Sequence, residues 1–282
     1  MTTVSNLKQQ VLVTIAGSAA LVLMLVITTA VSPLLADEGN ERWLEIKGLL
    51  FGDREVRDGA SLLALETPYR AMDAAVVPVE IKTLVTQTPQ TYIKKLYLVI
   101  DNNPSPVAAV FHFPGKKDWQ SLSTRVRVNA YTDVRVIGET NDGAIYMVSN
   151  FVKASGGCSA PPTKDPVAAA ANLGRIKFKL PEAPADGSQI LAQLLIKHPN
   201  NSGLQFDQIS RNFIPADYVR RIEVSYNGEP VFSVDSDISI SEDPSIRFGF
   251  EPEAGGELKV SVKDSTGRTF AESFGVGKGE SG

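Results

Sequence analysis

The chain has 282 residues, 43% hydrophobic and 21% charged, with a formal net charge of −4. That balance gives no basic surface for nucleic acid, and a single cysteine excludes an internal disulfide or a Cys-based zinc cluster. Two histidines leave little for a His-based metal centre, and no P-loop, Rossmann glycine pattern, HExxH, GxSxG or CxxC run occurs. No catalytic, metal or cofactor site is therefore expected.

Residues 1–36 read as an address. Lys8 is the only charged side chain there, an apolar run follows from Val11, and Pro33-Leu34-Leu35-Ala36 precedes Asp37-Glu38. A positive start, an apolar stretch and a small residue before a polar turn describe an export signal. Cleavage is expected after Ala36, with Ala30 the other option. An uncleaved membrane anchor is the rival reading, because the apolar run is longer than most signal cores. In either case the folded part is exported, and a lone thiol in an exported protein suggests a reactive group or intermolecular pairing.

Residues 40–51 place Trp43, Ile46 and Leu50 at helical spacing before Gly52, predicting a short amphipathic helix. Beyond it the period changes to two. Val76–Ile81 is a strand whose Pro78 suggests an edge. Leu96, Leu98 and Ile100 lead to a turn at Asp101-Asn102-Asn103-Pro104. Val107, Ala109, Phe111 and Phe113 alternate, as do Thr124, Val126 and Val128 between Arg125 and Arg127. Val134 and Val136 flank Arg135, and Asn141-Asp142-Gly143 turns into Ile145–Val148. The later residues show the same alternation. Ile190–Ile196 is followed by the turn His198–Gly203, then Ile222–Tyr226, the hairpin signal Asn227-Gly228, and strands to Phe274 around Asp264–Gly267. The fold class is all-β: two sandwiches at about 100 residues each, residues 37–158 and 174–282, joined by 159–173. In the joint, Asp165-Pro166 before an alanine run predicts one or two helical turns.

Cys158 ends the first half in Ser155-Gly156-Gly157-Cys158 and is followed by Ser159-Ala160-Pro161-Pro162. Gly156 and Gly157 loosen the backbone, and the prolines keep the chain out of a sheet, so an accessible, mobile thiol is expected. No histidine lies near in sequence to serve as a base, which argues against a cysteine hydrolase. A thiol that bonds reversibly to sulfur suits a carrier, with a flexible reach from Ala154 of roughly 11 Å. His198 is read as a structural turn residue and His112 as solvent-facing or hydrogen-bonded in its sheet. Arg125, Arg127 and Arg135 form a candidate basic stripe for an anion, set against the plainer reading of a solvated strand face. Acidic residues at Asp235, Asp237, Glu242 and Asp243 are too scattered for a calcium loop.

The run Ser155-Gly156-Gly157-Cys158 resembles the sulfur-carrying arm of SoxY, of the bacterial Sox thiosulfate-oxidation system. The resemblance extends through Ala74–Val79, Asn103–Pro106 and Ser123–Arg127. The chain from Gly174 onward is similar to SoxZ, through Leu195–Pro199, Ile214-Pro215-Ala216, Tyr226-Asn227-Gly228 and Asp264–Gly267. A SoxY–SoxZ fusion of this kind also occurs in association with quinoprotein dehydrogenases. The resemblance implies two immunoglobulin-like β-sandwich domains, a periplasmic location, Cys158 as the covalent attachment point on the arm of Gly156 and Gly157, and no cofactor of its own. Its implied partners are a c-type cytochrome that loads the thiol and a hydrolase that releases sulfate. One departure stands out: in SoxY the arm ends the chain, whereas here it is tethered at both ends. The alternative expectation is a non-covalent accessory protein docking a periplasmic quinoprotein dehydrogenase.

Overall fold

The structure, a computed structural model, describes residues 38–115, 119–162, 166–181, 189–251 and 256–276. The expected export segment and Asp165 lie outside the described residues. No helix among the described residues is long and apolar enough to cross a membrane.

Helix α1 (Glu38–Phe51) matches the predicted amphipathic segment and stops at Gly52, whose φ of 60° suits glycine. Trp43, Ile46 and Phe51 are buried against Val99, Ile137 and Ile145. The first half then contributes β1 (Arg57–Asp58), β2 (Leu63–Glu66), β3 (Val77–Thr83), β4 (Ile93–Ile100), β5 (Val107–His112), β6 (Ser121–Val126), β7 (Thr132–Thr140) and β8 (Ile145–Val152). Helix α2 (Pro166–Ala171) follows, then β9 (Ile176–Lys179), β10 (Ile190–Ile196), β11 (Phe206–Asp207) and β12 (Asn212–Phe213). The chain finishes with β13 (Val219–Tyr226), β14 (Glu229–Ser236), β15 (Ser245–Phe250), β16 (Gly256–Asp264) and β17 (Thr269–Val276).

These strands build two main sheets that run through both halves. One has nine strands in the order β1-β8-β7-β4-β5-β14-β13-β16-β17, the other six in the order β2-β3-β6-β15-β10-β9, and β11 pairs with β12 alone. The halves meet edge to edge twice. Phe111 of β5 lies opposite Val234 of β14, and Leu122 of β6 opposite Phe248 of β15. Period-two patterning sends Leu96, Phe111 and Val126 inward with Phe232, Phe248 and Val260, so both halves feed one continuous core. The described residues from Arg42 to Val276 accordingly fall in one compact unit.

Local chemistry explains the turns. Asn227 and Gly228 take φ of 50° and 80°, the two positive values of a type I′ hairpin between β13 and β14. Pro78 is tolerated because β2 ends with Glu66 opposite Glu80, leaving β3 a local edge at the proline. The short strands β1, β2, β11 and β12 escape sequence reading because two to four residues carry no usable period.

Candidate functional site: a clamped cysteine arm

Strand β8 delivers the chain to the arm, and the arm folds back onto the end of β6. The Gly156 amide donates to Asn129 O and the Gly157 amide to Val128 O, each at 2.9 Å. Asn103 fixes that platform: its Nδ2 donates to Arg127 O at 2.7 Å while its Oδ1 accepts from the Asn129 amide at 2.8 Å. Gly156 takes the left-handed φ of 79° that turns the chain, and stays at the surface. Gly157 lies flat on backbone. A Cβ there would fall 2.0 Å from Ala74 O and 2.7 Å from Val128 O.

The thiol that follows is fully buried. This corrects the expectation of an accessible, mobile thiol at Cys158. The glycines do not loosen the arm here; they let it approach two neighbouring carbonyls so closely that it can be pinned. The second half closes over it. Ser202 Oγ donates to the Cys158 carbonyl, and Gln205 Nε2 donates to Ala160 O at 3.0 Å. Nothing in the sequence signals that Ser202 and Gln205 serve the arm, because they lie 44 and 45 residues beyond the groups they bond.

Arg127 stands behind the cysteine. Its position in an alternating strand suggested a solvated face, yet it is only 2% exposed, because the arm and the second half cover it. Its Nη1 donates to Gly157 O at 3.2 Å and its Nη2 to Asn200 O at 3.3 Å. The expected stripe does not form as one surface. Arg135 leaves it to pair with Asp101 at 2.8 Å and Asp133 at 3.0 Å. Arg125 stays near Arg127, lining the same small cavity, and donates to Asp243 O at 2.9 Å.

Burial pushes the Cys158 thiol up to about 11, with the Arg127 charge pulling it the other way. At neutral pH the sheathed group is therefore a thiol and a poor nucleophile. Alkylation by iodoacetamide is expected to rise about tenfold per pH unit and to level off only near pH 11, where the buried thiol ionises. A plateau at about 8.5, the ordinary thiol value, would mean that the thiol is not sheathed. The same shift has a stability consequence. Between the ordinary value and about 11 the unfolded chain has lost the proton that the folded chain keeps, so stability falls as pH rises through that window.

A second polar cluster joins His198, Asp217 and Asp264, whose ligand atoms lie within 4.8 Å of one another. His198 Nδ1 accepts the Asn200 amide at 3.1 Å, which leaves the imidazole proton on Nε2, 3.6 Å from both carboxylates. Arg268 already holds those carboxylates, with Nη2 2.6 Å from Asp217 Oδ2 and Nε 2.5 Å from Asp264 Oδ2. With the lone pair and both anions engaged, the cluster braces the turn that carries Asn200 and Ser202, in keeping with a structural His198. His112 is hydrogen-bonded across the sheet to Asp235 at 2.8 Å.

Comparison with known proteins bears directly on this arrangement. The family model of sulfur oxidation protein SoxY matches residues 47–158 and ends at the buried cysteine. The model of sulphur oxidation protein SoxZ matches residues 176–275. No curated protein matches the chain. Among solved structures, the sulfur carrier protein SoxY from Chlorobium limicola f thiosulfatophilum is 19% identical, with a TM-score of 0.34, over 41% of this chain and 94% of that one. A superoxide reductase (neelaredoxin) from Ignicoccus hospitalis is 13% identical, with a TM-score of 0.30, over 34% of this chain and 82% of that one. With one SoxY domain and one SoxZ domain in tandem on a single polypeptide, the chain belongs to the sulfur-oxidation carrier family as a SoxY–SoxZ fusion.

Proposed function

We propose that the protein is an exported, periplasmic sulfur carrier, not itself an enzyme, in which Cys158 bears a covalent sulfur intermediate and presents it to partner enzymes of thiosulfate oxidation. One observation carries the reading: the sole thiol lies on a glycine arm held inward by a few hydrogen bonds, three of them donated by Arg127, Ser202 and Gln205. A net hydrogen bond is worth about 1 kcal/mol, so a latch of this size opens locally while the rest of the fold stays intact. Released from burial, the thiol returns to the ordinary range and becomes a competent nucleophile.

Loading joins thiolate and thiosulfate by loss of two electrons, Cys–S⁻ + S₂O₃²⁻ → Cys–S–S–SO₃⁻ + 2 e⁻, with a c-type cytochrome as acceptor. Hydrolysis then releases the terminal sulfur as sulfate and leaves a persulfide on Cys158. Both partners follow from the family. The immunoglobulin-like character of the two halves is part of the same reading, supported by the antiparallel pairing of the main strands within each, β1 with β8 being parallel. A tether on both sides of the arm limits its excursion, so partners must meet the thiol close to the protein surface.

The test is the intact mass of protein isolated from the periplasm, with and without reductant. A reductant-labile adduct that maps to Cys158 is expected, and its mass identifies the cargo. An unmodified thiol under conditions in which the pathway runs would overturn the carrier reading.

A further inference from the structure

Beside the arm lies a cavity of about 130 Å³, several times the ~30 Å³ share of one water molecule. Arg125 and Arg127 line it, together with Pro161 of the segment after Cys158, Glu242 and Asp243. Two features set it apart from an ordinary surface dimple. Arg127 is a buried cation whose guanidinium bonds only to backbone carbonyls, and a buried charge without a counter-charge in contact is costly. In addition, the buried Nε atoms of both Arg125 and Arg127 have no hydrogen-bond partner among the described residues. Two guanidinium groups among the lining residues of one cavity match the charge and planar donor geometry that a tetrahedral oxyanion takes.

The acidic residues do not cancel this. Asp243 is engaged by Lys197 Nζ at 2.7 Å and by the His198 amide at 3.2 Å. Glu242 is half-buried and interacts electrostatically with Arg127, so an entering anion takes over part of its role. The cavity is also positioned for the arm. Arg127 donates to Gly157 O, the peptide group that leads directly into Cys158, and its charge acts on the thiol.

We propose that this cavity is an oxyanion seat in which Arg125 and Arg127 hold a sulfur oxyanion, either the sulfonate end of a group on Cys158 or the free ion. Each S–S bond extends the group by about 2 Å, so one added sulfur moves a sulfonate beyond the thiol, on the arm that Arg127 bonds at Gly157 O. The inference rests on the carrier reading of Cys158 for its biological cargo. It adds that loading with an anion supplies Arg127 with a counter-charge in direct contact, beyond the electrostatic influence of Glu242 and Asp73, so the sheath holds the loaded arm more firmly than the empty one.

The test attaches two groups to Cys158 of the full chain by chemistry. Tetrathionate reacts as Cys–S⁻ + S₄O₆²⁻ → Cys–S–S–SO₃⁻ + S₂O₃²⁻, giving an anionic adduct. Methyl methanethiosulfonate gives neutral Cys–S–S–CH₃ and releases methanesulfinate. Removal of each by a phosphine is followed by mass. Arg125→Gln is expected to speed release of the thiosulfonate about tenfold while release of the methylthio group changes by less than about twofold, the difference expected for losing a hydrogen bond to a charged group. Arg127→Lys, which keeps the charge but loses the fork, is expected to act in the same direction. Arg125 is only half-buried, so its variant answers the question should the Arg127 variant fail to fold. Equal effects on the two adducts, or none on either, would overturn the seat. Sulfate or thiosulfate, compared with chloride at matched ionic strength, then separates the sources: a saturable rise in Tm that Arg125→Gln abolishes assigns the free ion as well. Because the adducts are attached chemically, their release ratio reads the seat even if protein as isolated carries no cargo. A carrier without a seat shows the native adduct and no ratio.

Discussion

Replacing Gly157 with alanine is expected to expel the arm and turn a sheathed thiol into a reactive one. The added methyl would stand 2.0 Å from Ala74 O and 2.7 Å from Val128 O, and both obstacles are backbone, which cannot rotate away as a side chain can. Forcing atoms into a filled site costs about 1–3 kcal/mol even where side chains can yield. The arm, by contrast, can leave at the cost of a handful of hydrogen bonds. The thiol then returns from about 11 toward the ordinary thiol value of about 8.5, which alone raises the thiolate fraction at pH 8 by about two orders of magnitude. The rate of alkylation at fixed pH, measured with the melting temperature, checks this. The expected result is a rate higher by about two orders of magnitude with only a small loss of Tm, since the core strands do not depend on the arm. Gly156→Ala is the control. Its Cβ meets nothing closer than Ser159 Oγ at 4.0 Å, so only the left-handed φ of 79° opposes it, and the effect should be much smaller. Unchanged alkylation in the Gly157 variant would show that the arm is not held by the fit described here.

Cys158→Ser is expected to remove carrier function completely. Serine fills nearly the same volume and leaves the Ser202 and Gln205 bonds to the arm intact, since both go to backbone carbonyls. Its hydroxyl cannot enter thiol–disulfide exchange, so no reductant-labile adduct can form at any pH. The variant therefore separates chemistry from architecture. Thiosulfate-dependent electron transfer in a reconstituted periplasmic fraction should fall to background, while Tm stays within a few degrees of the parent protein. Activity that survives the substitution would instead assign the protein a non-covalent docking role.

The two predictions depend on different links of one chain of cause. Gly157 governs where the thiol is kept, and Cys158 governs what it can do once released. A carrier benefits from both. An exposed thiol in an oxidising compartment forms stray disulfides and climbs the oxidation ladder, whereas a buried, protonated one does not. On the carrier reading, a partner that drew out the arm would meet a reactive thiol only at its own site. Near the arm, the β11–β12 hairpin presents Phe206, Ile209 and Phe213 to solvent, and Gln205 at its base bonds the arm.

Much of this protein is written in local patterning. The helix ending at Gly52, the alternating strands, the Asn227-Gly228 hairpin and the order of SoxY-like and SoxZ-like stretches follow from period, turn chemistry and motif, which need only neighbouring residues. So does the placement of the sole cysteine after two glycines, which marks Cys158 as the group to watch. What local patterning does not contain is the environment that the rest of the chain builds around those residues. The pairing of β5 with β14 and of β6 with β15 merges the halves into shared sheets, and strand edges carry no sequence label for their partners. Arg127 alternates like a solvent-facing residue and is buried only because the arm and Asn200 cover it. The thiol next to two glycines reads as mobile, yet backbone carbonyls at Ala74 and Val128 leave a slot that only glycine fits, and Ser202 closes it from the other half. Sequence alone determined that the chain has one thiol and that it follows two glycines. Tertiary structure decided whether that thiol is exposed, ionised and paired, because burial and electrostatics are set by contacts between residues far apart in the chain.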